Sequence, residues 1–126
     1  MTPQKLRFAL VGAGVIGTTH ARALAELPDV VRRSSPSART VVFGHLNEGN
    51  LHVNVLDADD AHAVSDAVLK YVTSLGGSIS AEHGVGRAKA EWLALSRSPA
   101  ELAAMRAVKT ALDPDWRLNP GVIFPR

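Results

Sequence analysis

Cysteine is absent from the 126 residues. That excludes disulfides and thiolate metal sites and fits a reducing cytosol. No apolar run reaches the roughly 18 residues that a membrane-spanning helix needs. An excess of one charge is also missing. Lys and Arg number 14 against 12 Asp and Glu, a net +2, and they are scattered. No basic patch points to nucleic acid. There is no internal repeat and no low-complexity tract. The length suits one modest domain and is too short for two complete ones.

"KLRFALV" at 5–11 reads as a buried strand, "GAGVIG" as a turn, and "TTHARALAELPDV" as a helix with Ala21, Leu24 and Leu27 at helical spacing. Pro28 is expected to end that helix. Read as a secretory leader, this N-terminus has basic residues, an apolar run and Ala-Leu-Ala. The run is rich in glycine, however, and His20 and Arg22 interrupt the approach to the cleavage site, so a cytoplasmic protein is expected. "VRRSSPSAR" reads as a loop, linker or seam.

"TVVFGHLNEGNLHVNVLD" reads as two strands around a turn at Asn47, Glu48, Gly49 and Asn50. A helix follows, capped by Asp59 or Asp60 and ended by Gly76, with Ala63, Ala67, Val68 and Tyr71 in its apolar stripe. "SISAEHGVGRAKAEWLALS" passes from a short strand or loop into a helix. "SPAELAAMRAVKTALDP" is a further helix, with Ser98 as N-cap, Pro99 at its first position and Glu101 three residues after the cap.

The chemistry concentrates in "GHLNEGNLH" and "SAEHGVGR". A turn closed through Asn47–Asn50 sets His45 opposite His52, with Cβ atoms roughly 5 Å apart on one face. Two imidazoles so placed can share a divalent metal, or they can be ordinary solvated histidines. Asn54 falls on the same side as His52, and Phe43 beside His45. Glu82 would complete a His–His–Glu set with a coordination position open. His83 next to it is then free to accept a proton. Gly84 and Gly86 would let backbone approach a ligand closely.

"FGHLNEGNLHVNV", "GGSISAEHGVGRAK" and "ALDPDWRLNPGVIF", in that order over about 39–124, resemble the C-terminal portion of the FAD-linked oxidases, flavoprotein dehydrogenases of D-lactate, glycolate and D-2-hydroxyglutarate. The resemblance implies an α+β fold, part of a truncated ferredoxin-like cap. It makes His45, His52 and Glu82 ligands of zinc or manganese and His83 the base that takes the hydroxyl proton of a small 2-hydroxy acid. Asn54 becomes a substrate contact, Asn119 a residue on the flavin side, and FAD the hydride acceptor. Asn47 stands where the family usually has Gly, Glu48 where it has Asp, and Trp116 where Gly is common. A bulky Trp116 is hard to accommodate if its φ is positive. Relatives carry a FAD domain before this segment. It has no counterpart in these 126 residues, so autonomous catalysis is not expected and a separate FAD-binding chain would supply the flavin.

Gly12, Gly14 and Gly17 form a dinucleotide fingerprint after a strand and opening a helix. Residues 1–30 thereby resemble the start of the glucose–fructose oxidoreductase and inositol dehydrogenase family. The acidic residue due about 20 positions later is missing. Arg32 and Arg33 stand there instead, as a solvated linker or a 2′-phosphate contact. A single βα unit cannot build a dinucleotide crevice, so NAD(P) binding is not expected.

The expected organisation is a partial dinucleotide-binding unit at 1–30, a linker or fusion seam at 31–38, and the oxidase segment at 39–126. The alternatives are a remnant of an NAD(P)-dependent enzyme and a non-catalytic fusion fragment. His62 is expected to be solvated, and Trp92, Leu93 and Leu95 to serve packing. Arg87 and Lys89 read as surface residues or as contacts to an anionic substrate near His83.

Overall fold

The structure, a computed structural model, describes residues 15–45 and 50–124, with side chains from residue 21 onward. The strand expected at 5–11, Gly12, Gly14 and the turn residues Asn47, Glu48 and Gly49 lie outside the described residues. The described residues form helix α1 (Val15–Ser34), strands β1 (Arg39–His45) and β2 (Asn50–Leu56), helix α2 (Ala61–Ser74), a short 3₁₀ helix (Ala90–Leu95) and helix α3 (Pro99–Leu112). This mixture of helix and strand agrees with the expected α+β class. No described helix is long and apolar enough to cross a membrane.

Helix α1 does not stop at Pro28, as the sequence reading expected; it runs through it to Ser34. A proline inside a helix forfeits one backbone hydrogen bond and crowds the carbonyl four residues earlier, at a cost of about 3 kcal/mol. The face beyond it outweighs that cost. Val30 and Val31 are both buried, and full burial of such a side chain contributes about 1.5–3 kcal/mol. Residues 31–34, read as linker, are therefore the last turn of α1. There Arg32 pairs with Asp29, and the basic pair Arg32 and Arg33 faces the negative end of the helix dipole.

The polar residues after α1 tie it into the fold. Ser35 is almost wholly buried, and its hydroxyl donates to Asp59 Oδ2 at 3.0 Å. Ser37 donates to the same oxygen at 2.8 Å, and Arg39 meets Asp57 at 2.8 Å. The turn entering β1 is thus fastened to the turn leaving β2. The two hydroxyls, Ser37 first, hold the Asp59 carboxyl below its ordinary value.

β1 and β2 pair antiparallel, and α1 packs on α2 and β1. One sheet face turns inward, where Val55 joins Val31, Ala38, Val64 and Val68. Val64, outside the expected α2 stripe, is the residue of α2 that is buried. Between α1, α2 and the inner sheet face lies an apolar groove of about 580 Å³. Asp60 caps α2 by accepting from His62 N and Ala63 N, both at 2.9 Å. Gly76, in left-handed conformation, ends it. The Ser98–Glu101 capping box opens α3 as expected. Trp92 and Leu93 are buried, whereas Leu95 is 39% exposed.

Candidate metal centre

Alternation along the hairpin sorts its residues between two faces. Arg39, Val41, Phe43 and His45 of β1 share the outer face with Asn50, His52, Asn54 and Leu56 of β2. The register differs from the expected one. His45 faces Asn50 and Phe43 faces His52, two residues from the expected pairing. His45 and His52 are diagonal neighbours on one face, a spacing of roughly 7–8 Å between backbones instead of direct opposition. Asn50, read as a turn residue, is the first residue of β2 and is buried.

Gly44 makes the narrow end of this hairpin feasible. Its φ is +151°, and a Cβ there would lie 2.1 Å from the Asn50 carbonyl oxygen. Any side chain would push the strands apart beside His45.

The loop after α2 brings Glu82 and His83 up to β2. His52 Nε2 and His83 Nε2 each lie 3.2 Å from the same oxygen, Glu82 Oε1. One ligand atom from each of these three residues lies within 4.8 Å of the others. The His52 and His83 rings meet edge to face at 6.0 Å, and Phe43 stacks on His52 with ring centroids 5.0 Å apart. Gly84 and Gly86 have φ of 73° and 59°, and a Cβ on either would meet nothing within 4 Å. Both glycines hold a left-handed backbone angle that a side chain rarely adopts.

The Glu82 carboxyl is held below its ordinary value. A hydrogen bond from the Asn50 side chain is the main cause. Partial desolvation opposes it, and His83, His52 and His45 add smaller electrostatic contributions. An anionic carboxylate facing imidazole nitrogens is a donor set that zinc or manganese accepts. Asn50 was missed as part of the site. Its parity with His52 was the available signal, and the misplaced turn hid it.

The remaining residues fall as follows. Asn54 is exposed on the outer face, opposite Val41. Asn119 lies in the C-terminal tail with φ 46°, lining a small cavity with Trp116 and Phe124. Trp116 does adopt a positive φ, 53°. Gly17 lies in the first turn of α1. Lys89 donates to the Ile79 carbonyl at 2.8 Å and Arg87 to the Pro120 carbonyl at 2.7 Å, so both serve the fold of the loop.

Residues 16–123 match the family of FAD linked oxidases, C-terminal domain. The chain is 43% identical over 110 residues to a D-2-hydroxyglutarate dehydrogenase of Stutzerimonas stutzeri (strain A1501), covering 80% of this chain and 24% of that protein. It is 41% identical over 102 residues to the mitochondrial D-2-hydroxyglutarate dehydrogenase of Bos taurus, covering 77% of this chain and 19% of that protein. It is 38% identical over 93 residues to a D-lactate dehydrogenase of Anaerostipes hadrus, covering 68% and 20%. The chain thus spans a quarter or less of the length of these relatives. It belongs to the FAD-linked oxidases and represents their C-terminal domain. The matched range includes most of α1 and residues 31–38.

Proposed function

We propose that this chain is the substrate- and metal-binding part of a FAD-dependent oxidoreductase acting on a small 2-hydroxy acid of the lactate, glycolate or 2-hydroxyglutarate type. The observation that carries the reading is the convergence of His52 and His83 on Glu82 Oε1, each at 3.2 Å. Relatives named for D-2-hydroxyglutarate and D-lactate support the substrate class. In this reading the segment is part of a ferredoxin-like cap.

His52 and Glu82 hold a divalent cation, zinc or manganese, with His45 as the third ligand from the same sheet face. The cation supplies Lewis-acid polarisation of the substrate oxygen, and FAD supplies the hydride acceptor. His83 Nε2, beside Glu82, accepts the proton of the 2-hydroxyl. Asn54 donates to the substrate carboxylate or hydroxyl, and Asn119 faces the flavin side. Asn50 hydrogen-bonds and orients Glu82. The FAD-binding partner, on this polypeptide or a separate one, covers the outer sheet face, where Val41, Phe43 and Leu56 stand 43–52% exposed.

Metal content of the dialysed protein, measured by mass spectrometry, tests this. About one equivalent of zinc or manganese is expected, lost in His52→Ala and His45→Ala and retained in His83→Ala. Loss in His83→Ala with retention in His45→Ala would make His83 a ligand and remove it as the base. No metal in the unaltered protein would refute the metal centre.

A further inference from the structure

We propose that Arg87 is a positioning residue for the metal centre. By donating to the Pro120 carbonyl it clamps the C-terminal tail against the loop that carries Glu82 and His83, and so fixes where these side chains stand relative to His52. The inference rests on the reading of these residues as a metal-binding site.

The loop has little to hold it from within. Gly84 and Gly86 are both in left-handed conformation, and nothing packs where their side chains would be. Glycines carry a high entropic cost of ordering, so an ordered loop of this kind needs outside ties. Its neck is closed by Lys89 Nζ on the Ile79 carbonyl. Beyond that neck the tail supplies two bonds. Arg87 Nη2 donates to Pro120 O at 2.7 Å, and Ile123 N donates to Gly86 O at 3.0 Å.

The tail is built to hold its place. Asp113 accepts from Arg117 N at 3.0 Å, Leu118 N at 2.9 Å and the Lys109 ammonium, which also donates to Leu118 O. Phe124 is buried beneath Arg106, whose guanidinium lies 4.3 Å from its ring centroid. Trp116, Asn119 and Ile123 all have positive φ, and Ile123, a branched residue with φ 68°, is the one that donates to the loop. Such angles cost of order 1–3 kcal/mol each and persist only where surrounding contacts over-determine them. A strained segment anchored at both ends and bonded to a glycine-rich loop acts as a strut for that loop.

Co²⁺ titration of the whole chain, followed by its visible absorption, is the test, with Arg87→Ala, Arg87→Lys and the site control His52→Ala. Hydrogen exchange of the metal-free proteins is read in parallel. We expect Arg87→Ala to weaken Co²⁺ about ten-fold, the lower end for residues that support metal ligands. Its melting temperature should stay within a degree of the unaltered protein, and Arg87→Lys should recover most of the affinity. Exchange should quicken together in 82–86 and 119–124. Unchanged affinity, or exchange in 82–86 that ignores Arg87→Ala, overturns the proposal. Equal Co²⁺ binding by His52→Ala would defeat the metal reading instead, and the exchange data alone would then decide whether Arg87 orders the loop.

Discussion

Phe43 and His52 face each other across the hairpin with ring centroids 5.0 Å apart and planes 17° from parallel. The stack fixes the plane of the imidazole and leaves its edge free for Glu82. An aromatic pair of this kind contributes about 0.5–1.5 kcal/mol beyond area burial. Phe43→Ala should therefore weaken metal binding roughly 2- to 12-fold through lost preorganisation. Competition with a chelator of known affinity measures this. Equal affinity in the variant would show that the stack does not orient His52.

Leu27 precedes Pro28 and is 1% exposed. If α1 is integral to the core ahead of the proline, Leu27→Ala should cost about 2–5 kcal/mol in urea unfolding. Val108→Ala, at a position 61% exposed on α3, should stay within about 0.5 kcal/mol. Equal small effects would mean that α1 is only loosely attached.

The outer face of the hairpin was legible in the sequence although its register was not. The observed pairing differs from the expected one by two residues, and a shift of two preserves which side chains share a face. His45, His52, Asn54 and Phe43 were therefore grouped correctly while their opposition was wrong. Glu82 joins them from 30 positions beyond His52; donor chemistry made it a candidate, and the family resemblance strengthened it. No local pattern announces a loop folding back on a strand. The course of α1 was misread because proline is a local signal, whereas the burial of Val30 and Val31 that overrides it is a tertiary one.

The α3 cap provides a local test. Ser98 Oγ accepts from Glu101 N at 3.2 Å, and Glu101 Oε2 accepts from Ser98 N at 2.7 Å. Ser98→Ala should lower stability by about 1 kcal/mol. Helix α3 has no buried residue, so its order leans on this cap and on Asp113 at its other end. Circular dichroism during thermal melting would register the loss. An unchanged melt would mean that α3 frays independently of the unit that the melt reports.

His62 and Glu91 supply the pH dependence. His62 Nε2 lies 3.0 Å from Glu91 Oε1, joining the start of α2 to the 3₁₀ helix beside Trp92. The hydrogen bond to Glu91, and then its charge, raise the His62 pKa above 6.5; desolvation opposes this, while Asp60 and Asp66 assist. A raised folded-state value means that protonation favours the folded chain. The contribution is complete below the unfolded value of about 6.5 and is lost as pH climbs through the higher folded value. The gap in melting temperature between the unaltered protein and Glu91→Gln should thus be widest near pH 5.5 and close toward pH 8.5. Both side chains are more than half exposed, so the gap should be small and shrink further in salt. Titration of the His62 ring by NMR gives the direct reading. Its midpoint should fall toward 6.5 in Glu91→Gln, and identical midpoints in the two proteins would show that the pair does not form in solution.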